Sequence, residues 1–248
     1  MNLDGFALPV KKLKGTDPVE MLDLSGKNLG VASAVVIASL ISINGALTVA
    51  NLLHNQLDAE SAKMLAKVAK QKGVSLCGIQ RDQTTADLSG HALQPPDAIL
   101  LASDLTQAVV TGGLTSLDLS NNLLCGVTTF GSGTYTAEGI TAIAEALRVN
   151  GGLTALNLSN NDLEDEGVSA ICKAIQSNKE TKLTSLNFKN NRISSVGANA
   201  VAAMVAVTGA LTTLSLAQNM LGEEGTKAIC EALEQNETLK ELDIFKVE

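Results

Sequence analysis

From Leu114 the chain alternates apolar and polar positions, and the same wording returns three more times. LTSLDLSNN begins at 114, LTALNLSNN at 153, LTSLNFKNN at 183 and LTTLSLAQN at 211. Numbered from the first Leu, positions 1, 4 and 6 are apolar, position 9 is usually Asn and position 11 is apolar again. Position 6 falls on Leu24, Leu52, Leu88, Leu119, Leu158, Phe188, Leu216 and Ile244, at spacings of 28, 36, 31, 39, 30, 28 and 28. Alternation with period two predicts a short strand with one buried face. The period then changes. Gly139, Gly167, Gly197 and Gly225 are each followed four residues later by Ile143, Ile171, Val201 and Ile229, and eight later by Leu147, Ile175, Val205 and Leu233. That spacing predicts a helix with one apolar stripe.

A strand-turn-helix-turn unit of about 28 residues cannot bury its core alone, so successive units must stack as a solenoid. Residues 1–17 are expected to cap one end. Residues 18–248 are expected to form about eight coils. The Asn column at position 9 comprises Asn55, Asn122, Asn161, Asn191 and Asn219, with Lys27 and His91 in the two irregular places. A buried amide there supplies both a donor and an acceptor to backbone groups that the turn leaves unpaired. Turns with Lys27 and His91 should be looser or more exposed.

The stretches LTSLDLSNNLL, LTALNLSNNDLEDEGVSAICKAI and LTTLSLAQNMLGEEGTKAICEAL resemble leucine-rich repeats of the ribonuclease-inhibitor type, over roughly residues 19–244. The wording SLCGIQRDQTTADLSG is similar to repeat proteins of algae and other protists. The resemblance implies a right-handed α/β horseshoe with a parallel sheet on the concave side and helices on the convex side. It also implies a partner-binding role, with the concave face and rim loops as the usual sites.

Four departures from the repeat carry the functional expectations. First, CGVTTFGSGTYTAE at 125–138 inserts eleven residues between Leu124 and Gly139. It carries Phe130 and Tyr135, expected as anchors for a partner, with Asp118, Asn157 and Asn187 of the concave face beside them. Second, 74–90 is irregular: Val74, Cys77 and Ile79 fit positions 1, 4 and 6, and Ala86 and Leu88 fit again nine residues later. Third, 28–57 and 193–222 contain no Asp, Glu, Lys or Arg. The helix in the first is expected to be buried on more than one side, covered by Phe6, Leu8, Pro9 and Val10. Either stretch could serve homo- or hetero-association. Fourth, only FKVE follows Ile244, and Phe245 is expected to plug the open core.

Composition narrows the function. Only 2% of residues are aromatic, which suits many thin aliphatic layers. A net charge of -8 argues against a nucleic-acid surface. No phosphate-binding glycine motif, Cys-x-x-Cys pair or catalytic triad spacing occurs, so no catalytic residue, metal or cofactor is assigned. Cys172 and Cys230 read as small core residues. The apolar helix VASAVVIASLI is far shorter than the roughly 20 residues a membrane span needs. Free thiols without an apolar leader point to the cytoplasm or another reducing compartment. The expectation is a non-enzymatic protein–protein interaction module. Its alternatives are an enzyme regulator of the GTPase-activating or inhibitor type, or a structural subunit of a larger assembly. Arg81, Arg148 and Arg192 are scattered, which weakens the GTPase alternative.

Overall fold

The first residues fold as a hairpin, β1 (Asn2–Leu3) with β2 (Phe6–Ala7), and a short helix, α1 (Val10–Lys14). Strands and helices then alternate: β3 (Met21–Asp23), α2 (Val31–Ile43), β4 (Val49–Asn51), α3 (Ala59–Lys72), β5 (Thr85–Asp87), α4 (Pro95–Leu105) and α5 (Ala108–Thr111). They continue through β6 (Ser116–Asp118), α6 (Glu138–Leu147), β7 (Ala155–Asn157), α7 (Glu164–Ser177), β8 (Ser185–Asn187), α8 (Ser195–Val205), β9 (Thr213–Ser215), α9 (Gly222–Leu233) and β10 (Glu241–Asp243). This computed structural model describes residues 1–128 and 131–245. Strands β5 to β10 form one parallel sheet in chain order, and β3 and β4 form a separate parallel pair. Helices need about 8–10 Å of width and strands about 4.8 Å, so the stack bends toward the sheet.

Leu117, Leu156, Leu186 and Leu214 at position 4 stand level with one another across the sheet. With Leu119, Leu158, Phe188 and Leu216 they form a continuous buried column, as do Leu124, Leu163 and Ile193 at position 11. The helix stripe Ile143, Ile171, Val201 and Ile229 closes it from the other side. The glycine that opens each late helix lets consecutive helices approach closely. A Cβ on Gly225 would stand 2.6 Å from the Cβ of Ala198.

The Asn column joins each coil to its predecessor. Asn191 donates to the carbonyls of Leu158, Phe188 and Lys189, and its Oδ1 accepts from the amides of Asn161 and Leu163. Asn219 repeats the arrangement one coil on. Asn55 does so in the second coil, bonding Lys27 and Leu29. Lys27 and His91 are exposed. Position 8 has its own requirement. Asn121, Asn160 and Asn190 have φ near +55° and Gly26 and Gly90 have φ of 63° and 65°, so the first Asn of each NN pair is there for left-handed backbone.

At 74–90 both short stretches are strand-like, in different ladders. Ser75 bridges Val49 in parallel, extending the β3–β4 pair, while β5 begins the six-stranded sheet. The pairing sets Ser75 level with the third position, so Leu76, fully buried, follows it into the core. That is one residue off the expected register, which had put Cys77 in that role. No helix separates the two stretches. The free edge at 75–77 is satisfied by a side chain from α4. The Asp104 carboxylate accepts from the amide of Leu76 at 2.9 Å, the amide of Cys77 at 3.1 Å and the Ser75 hydroxyl at 2.8 Å. Burial pushes the Asp104 carboxyl up to about 7 despite these donors.

Three other expectations are corrected. Leu8 and Leu13 are buried and Phe6 and Val10 pack on the core, yet α2 leaves Val31, Val35 and Ile43 more than half exposed. Its outer face is therefore apolar and open, not covered. Phe245 is 79% exposed and does not plug the core, because β10 ends the sheet and nothing packs beyond it among the described residues. Cys230 is exposed, one helical position away from the buried Ile229, while Cys77, Cys125 and Cys172 are buried.

Candidate protein-binding surface

Each strand turns its middle residue into the core and its flanking residues outward, so the sheet presents two columns of side chains. The column through Asp87, Asp118, Asn157, Asn187, Ser215 and Asp243 is held in register by the parallel ladder. Its members have structural duties as well. Asp118 Oδ1 accepts from the amide of Ser120, Asn157 Oδ1 from Ser159, and Asn187 Oδ1 from Lys189. Each carbonyl-type oxygen thus fixes the turn that follows its strand, an Asx-turn. The second Asp118 oxygen receives the Asn157 amide at 3.0 Å. The sequence-predicted trio is therefore brought together on adjacent strands, with Asp118 and Asn157 already bonded to one another.

A further ladder on the sheet rim was not anticipated from the sequence. The hydroxyls of Thr115, Thr154, Thr184 and Thr212 donate to the carbonyls of Thr84, Thr115, Thr154 and Thr184 in turn. A second Asn series does the same at the helix ends, where Asn150, Asn178 and Asn236 donate to Leu105, Leu147 and Val205. The signal was present as the recurrent Thr of LT and as the Asn at 150, 178 and 236, three to five residues ahead of Leu153, Leu183 and Leu239. These ladders leave the sheet face stiff and polar.

The insertion is folded onto the rim. Val127 bridges Gly133 in antiparallel fashion, and the Thr136 amide reaches the Cys125 carbonyl. Gly126 lies close to Pro95 of α4, so a side chain there would be blocked by the facing Thr134 carbonyl. Tyr135 is half-buried against the core, and its hydroxyl donates to the Leu163 carbonyl at 2.9 Å. Burial, then the neighbouring Cys125 and Glu166, push its hydroxyl upward in pKa. The ring thus ties the loop to the next coil and does not project from it. Phe130, the other expected anchor, lies outside the described residues. Burial likewise pushes the Cys125 thiol up to about 12, which favours its protonated form.

The structure brings together two residues that the sequence kept apart. His54 and His91 stand edge to face with ring centroids 5.8 Å apart. Among the described residues no group of three His, Cys, Asp or Glu is placed to hold a metal ion. The uncharged stretches each present apolar side chains: Val31, Val35 and Ile43 in the first, Val196, Val207 and Met220 in the second. No helix among the described residues is long and apolar enough to cross a membrane.

Comparison with known proteins agrees with the repeat. A family described as Leucine Rich repeat matches residues 153–172 and 179–202. The chain is similar to mouse ribonuclease inhibitor, 25% identical over 244 residues, a match covering 90% of this chain and 51% of the mouse protein. The chain therefore spans about half the length of that relative. Among solved structures, leiomodin-1 actin-binding site 2 is 26% identical over 47% of this chain and 66% of its own, with a TM-score of 0.40. An internalin from Listeria monocytogenes is 16% identical over 93% of this chain and 62% of its own, with a TM-score of 0.39.

Proposed function

Since the chain is a leucine-rich-repeat protein of the ribonuclease-inhibitor type, and such proteins are generally protein-interaction modules, we propose that it is a non-enzymatic module that holds a protein partner on its sheet face and the adjoining 125–138 loop. The observation that carries this reading is the column Asp87, Asp118, Asn157 and Asn187, held in register over consecutive strands. A stiff, polar surface of this kind loses little conformational entropy on binding. Tyr135 contributes by tying the later part of the loop to the Leu163 carbonyl of the next coil. The mild acidity of the column and the net charge of -8 suit a basic partner. An inhibitor of a basic enzyme is the regulatory form of the same reading, and the name of the mouse relative favours it. Free thiols at all four cysteines support a reducing compartment such as the cytoplasm.

The test is affinity purification from the native source with the chain immobilised, alongside Asp118→Arg/Asn157→Arg and a deletion of 127–136. A protein retained by the parent and lost from both variants is the expected result. Identical retention by all three would place the partner elsewhere and overturn the assignment.

A further inference from the structure

The larger helices pack in the order α2, α3, α4, α6, α7, α8 and α9, and α4 lies deeper than its neighbours. All its residues except Pro96 are buried. The strand-like segment at 75–77 has no helix of its own, and Asp104 at the end of α4 is bonded directly to it. With α4 recessed, α3 and α6 stand up on either side of it. Between them runs a groove of about 570 Å3 on the helix side of the molecule.

The floor of the groove is small and uncharged. Ile99, Ala102 and Ser103 of α4 line it, each less than a tenth exposed. Its two rims differ. Lys63, Lys67 and Lys70 of α3 follow one another at helical spacing along one wall, and Glu145 of α6 stands on the other. In a chain of net charge -8, α3 carries four lysines against one acidic residue, Glu60. Lys63 is engaged, with Glu60 at 2.9 Å and with Glu138 of α6 at 3.4 Å, and the second pair links α3 to α6. Lys67 and Lys70 have no carboxylate within ion-pair distance among the described residues.

We propose that this groove is a second docking surface, whose occupant is an amphipathic helix of another protein. The occupant's ridge of small apolar side chains lies over Ala102, and its acidic flank lies along Lys67 and Lys70. A helix is the element that fits, because it satisfies its own backbone hydrogen bonds and presents a ridge to a trough between two parallel helices. Alanine and serine on the floor permit a close axial approach. Unpaired lysines along one wall select a carboxylate flank, whereas Glu145 opposite is already paired with Arg148 at 3.6 Å.

A phage-displayed library of helical peptides of about 16 residues tests this, selected against the full chain. Bound clones are compared on the parent, on Ala102→Arg and on Lys67→Glu/Lys70→Glu. The second variant alters only exposed side chains, so it stays informative if the first melts; circular dichroism reports folding of both. Expected are clones with apolar residues at i, i+3 or i+4, and i+7, and Asp or Glu along one flank. They should bind the parent at least about tenfold more tightly than either folded variant, weaken as salt rises, and be indifferent to Asp118→Arg on the sheet face. The proposal is overturned if no clone enriches, if the enriched clones lack acidic residues, or if they bind Lys67→Glu/Lys70→Glu as tightly as the parent.

Discussion

Asn191 shows how much one side chain carries in a stacked fold. It is fully buried, and its amide and carbonyl together serve five backbone groups of two coils. Asn191→Ala strands those groups away from water, at about 1–3 kcal/mol for each that finds no new partner. An overall loss on the order of 3 kcal/mol is expected in urea unfolding. Asn55→Ala should cost about 1 kcal/mol, because its turn is only partly buried and water can replace the amide. Equal losses would contradict the ladder account. This column was legible in the sequence because its duty forces one residue type at one spacing. The left-handed requirement at position 8 was written there equally, in Asn121, Asn160 and Asn190, but an NN pair does not say which Asn serves backbone and which serves bonding. Tyr135 was legible as a distinctive residue and not as to its direction. An aromatic ring in an inserted loop has the same appearance whether it faces a partner or the Leu163 carbonyl.

At the scale of the element, the informative place is the strand without a helix. The irregularity at 74–90 was visible, but its resolution depended on a tertiary partner, Asp104, twenty-nine residues from Ser75. A carboxylate held at about 7 in the fold is raised above its unfolded value near 3.8. The folded state therefore binds the extra proton. Stability from this group is fully present below about pH 4 and is lost as pH rises through about 7. Asp104→Asn removes that titration. Chemical denaturation from pH 4 to 8 should show the parent losing stability relative to Asp104→Asn by up to one proton's slope over this window. A constant difference across the range would mean that the carboxylate does not titrate as its burial implies. The deeply buried α4 is tied to the same irregular segment through Asp104, and the groove over it could not be read from periodicity alone. The lysine spacing 63, 67 and 70 was in the sequence all along, as a helix face of ordinary appearance.

At the scale of the molecule, two surfaces of opposite character share one scaffold: a polar, mildly acidic sheet face, and a helix side with one basic-rimmed groove. The repeat wording made the layered architecture and its aliphatic interior readable, since each coil must present the same side chains to the next. Openness at the ends was not readable, because an apolar α2 or a terminal Phe245 can equally cover a core or face solvent. The sheet face as the partner surface is the central claim, and hydrogen–deuterium exchange on the complex with the purified partner measures it directly. Protection on binding is expected in the turns at 118–122, 157–161 and 187–191 and in the insertion, with the helices unchanged. Protection confined to α3, α4 and α6, or absent from the sheet side altogether, would contradict it.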